Sequence, residues 1–252
     1  MPDNSAMGQP LLKTMLLASA LLYGVALWRS DALPSPAELA SALQDEPVQT
    51  PVRQAAYVTT SHGVDYTVQP LHEYELVGLV VSKHDTHTWW DYLHREWNDS
   101  LNIVDLCVIW GSNARSGAYA DIDFSSGQFT CNFSTRSDAA FAAFDQTAIS
   151  NNHLLTDQPA LAKKLRTVRV GDQVRFRGHL AEYSHQQGMN FKRGTSTVRT
   201  DSGNGACETV FLESIEIIKT GGKPWRVLVW LAGLALLLSV IAWFASPVRR
   251  SS

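Results

Sequence analysis

The chain is poor in cysteine, in recognisable motifs and in positive charge. Its three cysteines are Cys107, Cys131 and Cys207, and without a Cys-x-x-Cys pair to exchange disulfides a thioredoxin-like redox role is excluded. No catalytic or cofactor motif stands out, and no cofactor is expected. Between residues 30 and 222, 15 Lys and Arg face 23 Asp and Glu, a balance of −8. A nucleic-acid binder would be basic, so nucleic acid is not an expected partner. The same region, roughly 190 residues, lacks any apolar run long enough to cross a bilayer.

Two such runs flank it. Trp225 to Ser246 is 22 residues long, and its one charge, Arg226, sits at the edge where a long side chain can reach the headgroups. The first run, Thr14 to Trp28, is 15 residues with Lys13 at its mouth. One reading is a signal peptide cut after Ala32, with Ser30 and Ala32 as the small residues. The other is an anchor that recruits Pro10 to Leu12, and Arg29 within the would-be cleavage region favours it. Lys13, Arg249 and Arg250 argue for cytoplasmic termini, against Arg29, Lys219, Lys223 and Arg226 on the domain side.

This gives four segments: residues 1–29 as anchor or signal peptide, 30–54 as a short helix and linker, 55–222 as a soluble β-rich domain, and 223–252 as a transmembrane helix with a basic tail. Ser35 and Glu38 form a capping box with Pro36 in the first turn, and the helix they open ends by Pro47. Pro47 and Pro51 mark residues 44–54 as the linker. Strands are expected over Tyr74–Val81, Val104–Trp110 and Phe129–Phe133, with further strands suggested over Ala56–Val68. Helices follow over Ser137–Asp145 and Asp157–Val168, then strands over Val168–Tyr183 and Glu208–Ile218. Thr135 to Thr156 reads as an insertion.

Three strands, a helical connection and two strands are the element order of an OB-fold, a five-stranded Greek-key barrel. Val170 to Leu180 resembles its fourth strand: Val174, Phe176 and Leu180 share one face, Arg175 and Arg177 the other, and Gly178 lets the strand bend. The fold class expected is therefore mainly β with inserted helices, an OB-like barrel flanked by two transmembrane helices. The chain also resembles an uncharacterised group of bacterial membrane-anchored proteins, through Asp105 to Gly111, Asn151 to Leu154, Arg193 to Ser196, Arg199 to Asp201 and Gly205 to Glu208. That resemblance implies a bacterial origin and no activity. The expected location is the bacterial inner membrane with the domain in the periplasm. The lipid bilayer and other envelope proteins are the expected partners.

Four constellations bear on chemistry. His84, His87 and His94, with Asp85 and Asp91, offer nitrogen and oxygen ligands suited to zinc, although no standard metal motif fits and a polar loop is the plainer reading. Asp201, Glu208 and Arg199 offer a base and a guanidinium for ester hydrolysis, against a turn built on Ser202 to Gly205. Residues 157–199 hold nine basic and three acidic side chains, so Arg175, Arg177 and Arg169, near Lys192 and Arg193, form a candidate surface for an anionic ligand or acidic partner. For the cysteines, Cys107 with Cys131 is the first choice of disulfide and Cys131 with Cys207 the second. The function expected is a non-catalytic, membrane-anchored binding or adaptor module. A membrane-tethered hydrolase, metal-assisted or not, is the alternative.

Overall fold

The computed structural model describes residues 5–246; Arg249 and Arg250 of the basic tail lie outside them. Its strands are β1 (Val48–Pro51), β2 (Tyr57–Ser61), β3 (Val64–Asp85), β4 (Asn102–Ile109), β5 (Asp123–Gly127), β6 (Thr130–Ser134), β7 (Ile149–Leu155), β8 (Gln173–His185), β9 (Phe191–Arg193) and β10 (Cys207–Lys219). Its helices are α1 (Ser5–Ser30), α2 (Leu93–Glu96), α3 (Gly111–Ser116), α4 (Asp138–Ala143), α5 (Pro159–Thr167) and α6 (Lys223–Ala245). The chain divides into two units, α1 with α6 and residues 33–220.

In the helical unit, Gln9–Ser30 and Lys223–Ala245 are long and apolar enough to cross a membrane, with mean hydropathies of 1.7 and 2.5. Only 11% of each is buried, whereas the core helix of a soluble protein would be mostly covered. Among the described residues, the buried side chains of these helices are small: Ser19, Ala26 and Ser30 on α1, Ala232 and Ser239 on α6. Small residues let two helices approach closely in lipid, where apolar bulk gives no advantage. Lys13 lies 5.9 Å from the Trp243 ring and Arg29 lies 5.3 Å from Trp225. The two cations are about 24 Å apart along α1 at 1.5 Å per residue.

The domain is mainly sheet. β3 pairs with β4 and β8, β4 with β7, β7 with β10, and β10 with β8, so the pairings run round a circuit of five strands. All are antiparallel except β7 with β10. Inside lie Leu76, Val80, Leu106, Val108, Phe176 and Val210, and Leu161 and Leu165 of α5 join the same core. Lys83 donates to the Arg166 and Val168 carbonyls at 2.9 and 2.8 Å, capping the end of α5. A second core, with Leu79, Ile109, Tyr119, Phe144 and Ile149, lies on the other face of the sheet beneath α3, α4 and the β5–β6 hairpin. Cys107 and Cys131 join that hairpin to β4 as a disulfide, with Cα atoms 5.6 Å apart.

Three differences from the sequence reading matter. Residues 44–54 are built into the domain, because β1 pairs with β3 and Pro47 is buried. Ser35 and Glu38 do form the capping box, but it closes a single 3-10 turn, Pro36–Glu38. The third strand of the circuit is β7, from within the supposed insertion. The Phe129–Phe133 stretch instead becomes β6 of a separate hairpin.

At Gly178 the β10 backbone leaves β8 no room for a side chain. A methyl group there would sit 2.1 Å from the Phe211 carbonyl oxygen. Gly178→Ala is expected to lower stability by at least about 2 kcal/mol in urea unfolding, whereas Gly194→Ala, with nothing nearer than 3.9 Å, leaves it within about 1 kcal/mol of wild type, the cost of an unhindered glycine replacement.

Candidate functional site

Two bulges build the site. The shift between Val80 and Ser82 inverts the alternation of β3, so that His84 lies opposite Asp105 rather than inside the circuit. A second shift, between Asn102 and Val104, does the same for Asn102. Asp105 in turn pairs with His153, and His153 with Thr209. Four neighbouring strands thus carry one lateral row, His84, Asp105, His153 and Thr209, on the outward face of the sheet. All four residues are at most 2% exposed.

Asp105 receives three hydrogen bonds. His153 Nδ1 donates to its Oδ1 at 2.7 Å, Asn102 Nδ2 to the same oxygen at 2.8 Å, and the Phe129 amide to Oδ2 at 3.2 Å. Burial pushes this carboxyl up, but the adjoining His153 imidazole and the hydrogen bonds from His153 and Asn102 outweigh it and hold the pKa down to about 2. On the far side of the ring, Arg193 donates to His153 Nε2 at 2.8 Å. Burial first, and Arg193 second, lower the His153 pKa against the pull of Asp105. The ring is therefore neutral with its proton on Nδ1.

The segment between β3 and β4 closes over the row. Asp91 Oδ2 accepts from His84 Nε2 at 2.6 Å and from His94 Nδ1 at 2.7 Å, while its Oδ1 takes the His94 amide at 3.1 Å. Asn102 Nδ2 bridges the two halves, donating to His94 Nε2 at 3.1 Å as well as to Asp105. Phe129, at the hairpin tip, lies over His94 with ring centroids 4.1 Å apart, and the Arg193 guanidinium is 3.9 Å from its ring centroid. Phe129 adopts φ 63° to do so, a left-handed conformation that a bulky residue takes only when its surroundings hold it. Beside the network, Asp99 accepts from the Tyr183 hydroxyl at 2.6 Å, and burial raises its pKa despite that bond. A cavity of about 380 Å³, lined by Thr88, His94 and Asp99 among others, reaches the network from outside.

Of the three candidate metal ligands, His84 and His94 meet at Asp91, whose donor atoms with theirs lie within 4.8 Å of one another. His87 is not among them; it is exposed, and Arg166 donates to its ring at 3.0 Å. Arg199 and Glu208 form a 2.9 Å ion pair with Glu208 fully buried, while Asp201 accepts from Ser196. Burial raises the Glu208 pKa, and Arg199 pulls it back. The arginine surface does not gather into one strip. Arg175 and Arg177 share Glu75 at 3.4 and 2.8 Å, Lys192 pairs with Glu182 at 2.9 Å, and Arg193 belongs to the network. Arg169 lies before β8, its amide donating to Asp172. Cys207 remains a thiol, pushed up to about 11 chiefly by burial.

The sequence reading missed Asp105, His153, Asn102 and Phe129. The available signal was Asp105 itself, a carboxylate opening the apolar run Leu106 to Trp110, which has to find partners if that run is buried. No protein-family model, curated protein or solved structure matches the chain.

The depressed His153 pKa fixes the sign of a pH effect. The unfolded ring, with a pKa of 6.5, takes up a proton more readily than the folded one, so stability is fully present above pH 6.5 and falls as pH drops from there toward the folded pKa. Urea midpoints between pH 8 and pH 5 are expected to decline in wild type and to decline less steeply in His153→Gln.

Proposed function

We propose that this chain is a membrane-anchored binding module that displays an OB-like, five-stranded Greek-key barrel on the periplasmic side of a bacterial inner membrane. The circuit of strand pairings, the parallel pairing of β7 with β10, and α5 between β7 and β8 support the barrel assignment. Two apolar helices support anchorage. The disulfide between Cys107 and Cys131 supports an oxidising compartment.

OB barrels bind ligands on the face of their second and third strands and with the loops after the first and fourth. Here those elements are β4, β7 and residues 86–101 and 186–206. The observation that carries the binding reading is in the first of these loops. Trp89 is 85% exposed, Tyr92 60% and Trp90 44%, all beside the buried network. Aromatic side chains that fixed polar contacts hold in the open are characteristic of recognition surfaces. The partner is another envelope protein. A hydrolase acting through Asp201 and Glu208 has less support, since Glu208 is enclosed with Arg199 and Asp201 is engaged by Ser196.

The test is photo-crosslinking in cells from position 89 of the full chain, followed by mass spectrometry. A discrete adduct with a membrane or envelope protein is expected, lost on combining Trp90→Ala with Tyr92→Ala. An adduct lost only when Arg175 and Arg177 are both changed to Glu would move the binding face to β8. No adduct from position 89 would remove the adaptor reading.

A further inference from the structure

We propose that His84, Asp91 and His94 form a three-ligand site for a divalent transition ion of the zinc class. The inference stands apart from the partner reading, because it concerns how the 86–101 loop is held and not what the loop meets.

The donor set comes first. Two imidazole nitrogens and one carboxylate oxygen suit zinc and its neighbours, whereas magnesium and calcium prefer all-oxygen shells. His84 Nε2, Asp91 Oδ2 and His94 Nδ1 converge within 4.8 Å, and all three residues are 3% exposed or less. Asp91 Oδ2 stands 2.6 and 2.7 Å from the two nitrogens, with a proton in each gap. An ion at about 2.0–2.1 Å from each donor needs these separations to open to roughly 3.3 Å. The loop supplies that movement, since Asp91 comes from the irregular segment between β3 and α2.

The surroundings suit the ion. Asp91 balances one charge of a divalent cation, and Asp105, on the far side of Asn102, adds a second negative charge nearby. Binding requires no loss of protons, because each imidazole can carry its proton on the far nitrogen instead. Those far positions are where the hydrogen bonding is incomplete: His84 Nδ1 is buried without a partner, and the Asn102 carboxamide, whose Nδ2 donates to His94 Nε2, has its Oδ1 buried without one. Turning that carboxamide exchanges Nδ2 for Oδ1, so that the oxygen accepts from a protonated His94 Nε2, the outer-shell contact that ligating histidines make, and the Asn102 bond to Asp105 is given up. Of the three ligands His94 lines the cavity, together with Thr88, which gives the ion a path in and room beside the site for a water ligand.

Trp90 provides a local reporter, its ring 4.8 Å from His84. The experiment uses the full chain in mild detergent, without a polyhistidine tag, stripped with a chelator and titrated with Co²⁺ alone and then with Zn²⁺. One Co²⁺ per chain is expected, with the visible absorption of a four-coordinate nitrogen and oxygen site, displaced by Zn²⁺. Trp90 fluorescence should change in step, as judged by the difference from Trp90→Phe. Asp91→Asn and His94→Gln should each weaken binding at least 10-fold, and the exposed His87→Ala should not. A stoichiometry near zero in folded wild type overturns the proposal, as does binding that leaves Trp90 unchanged. That second readout needs no ligand variant and holds even where Asp91→Asn or His94→Gln fails to fold.

Discussion

A carboxylate shut away from water must be given its hydrogen bonds by the protein, and Asp105 is the group around which the outward face of this domain is arranged. Left uncompensated, a buried charge costs several kcal/mol. Its three donors come from three separate places: His153 on β7, Asn102 at the bulge of β4, and the Phe129 amide at the tip of the β5–β6 hairpin. Each donor fixes something else. His153 orients Arg193, Asn102 ties the row to His94, and Phe129 brings its ring over His94. The disulfide from Cys107 to Cys131 fastens the same hairpin over the same face, two residues along β4 from Asp105.

The arrangement depends on strand irregularities more than on strand propensity. Uninterrupted alternation would send His84 and Asn102 into the apolar interior with Val80 and Val104. One extra residue in each strand turns them outward to Asp105 instead. The site therefore exists because two strands break period.

That is also why the sequence yielded the fold more readily than the site. The apolar runs of α6, β4 and β10 were legible from composition, and α5 from its start at Pro159, because in each the local pattern and the final environment agree. β7 was not, since Ile149-Ser150-Asn151-Asn152-His153 is polar and poor in β-formers. It is a strand only because β4 and β10 hold it on both sides. The histidine cluster was legible as a group between residues 84 and 94, but not which members meet. His87 sits between His84 and His94 in sequence, yet a turn carries it outward to Arg166. Asp105, His153 and Arg193 are far apart in sequence, and only the fold joins them in one hydrogen-bonded chain.

The central claim is that the two halves of the network, Asp91 with His94 and Asp105 with His153, act as one unit through Asn102. A double-mutant cycle on unfolding free energy tests it directly, using His94→Gln and His153→Gln singly and together. The account predicts a coupling of about 1 kcal/mol or more, the range of residues that share a network. Additivity within about 0.3 kcal/mol, the behaviour of independent sites, would mean that the two halves are separate and would contradict it.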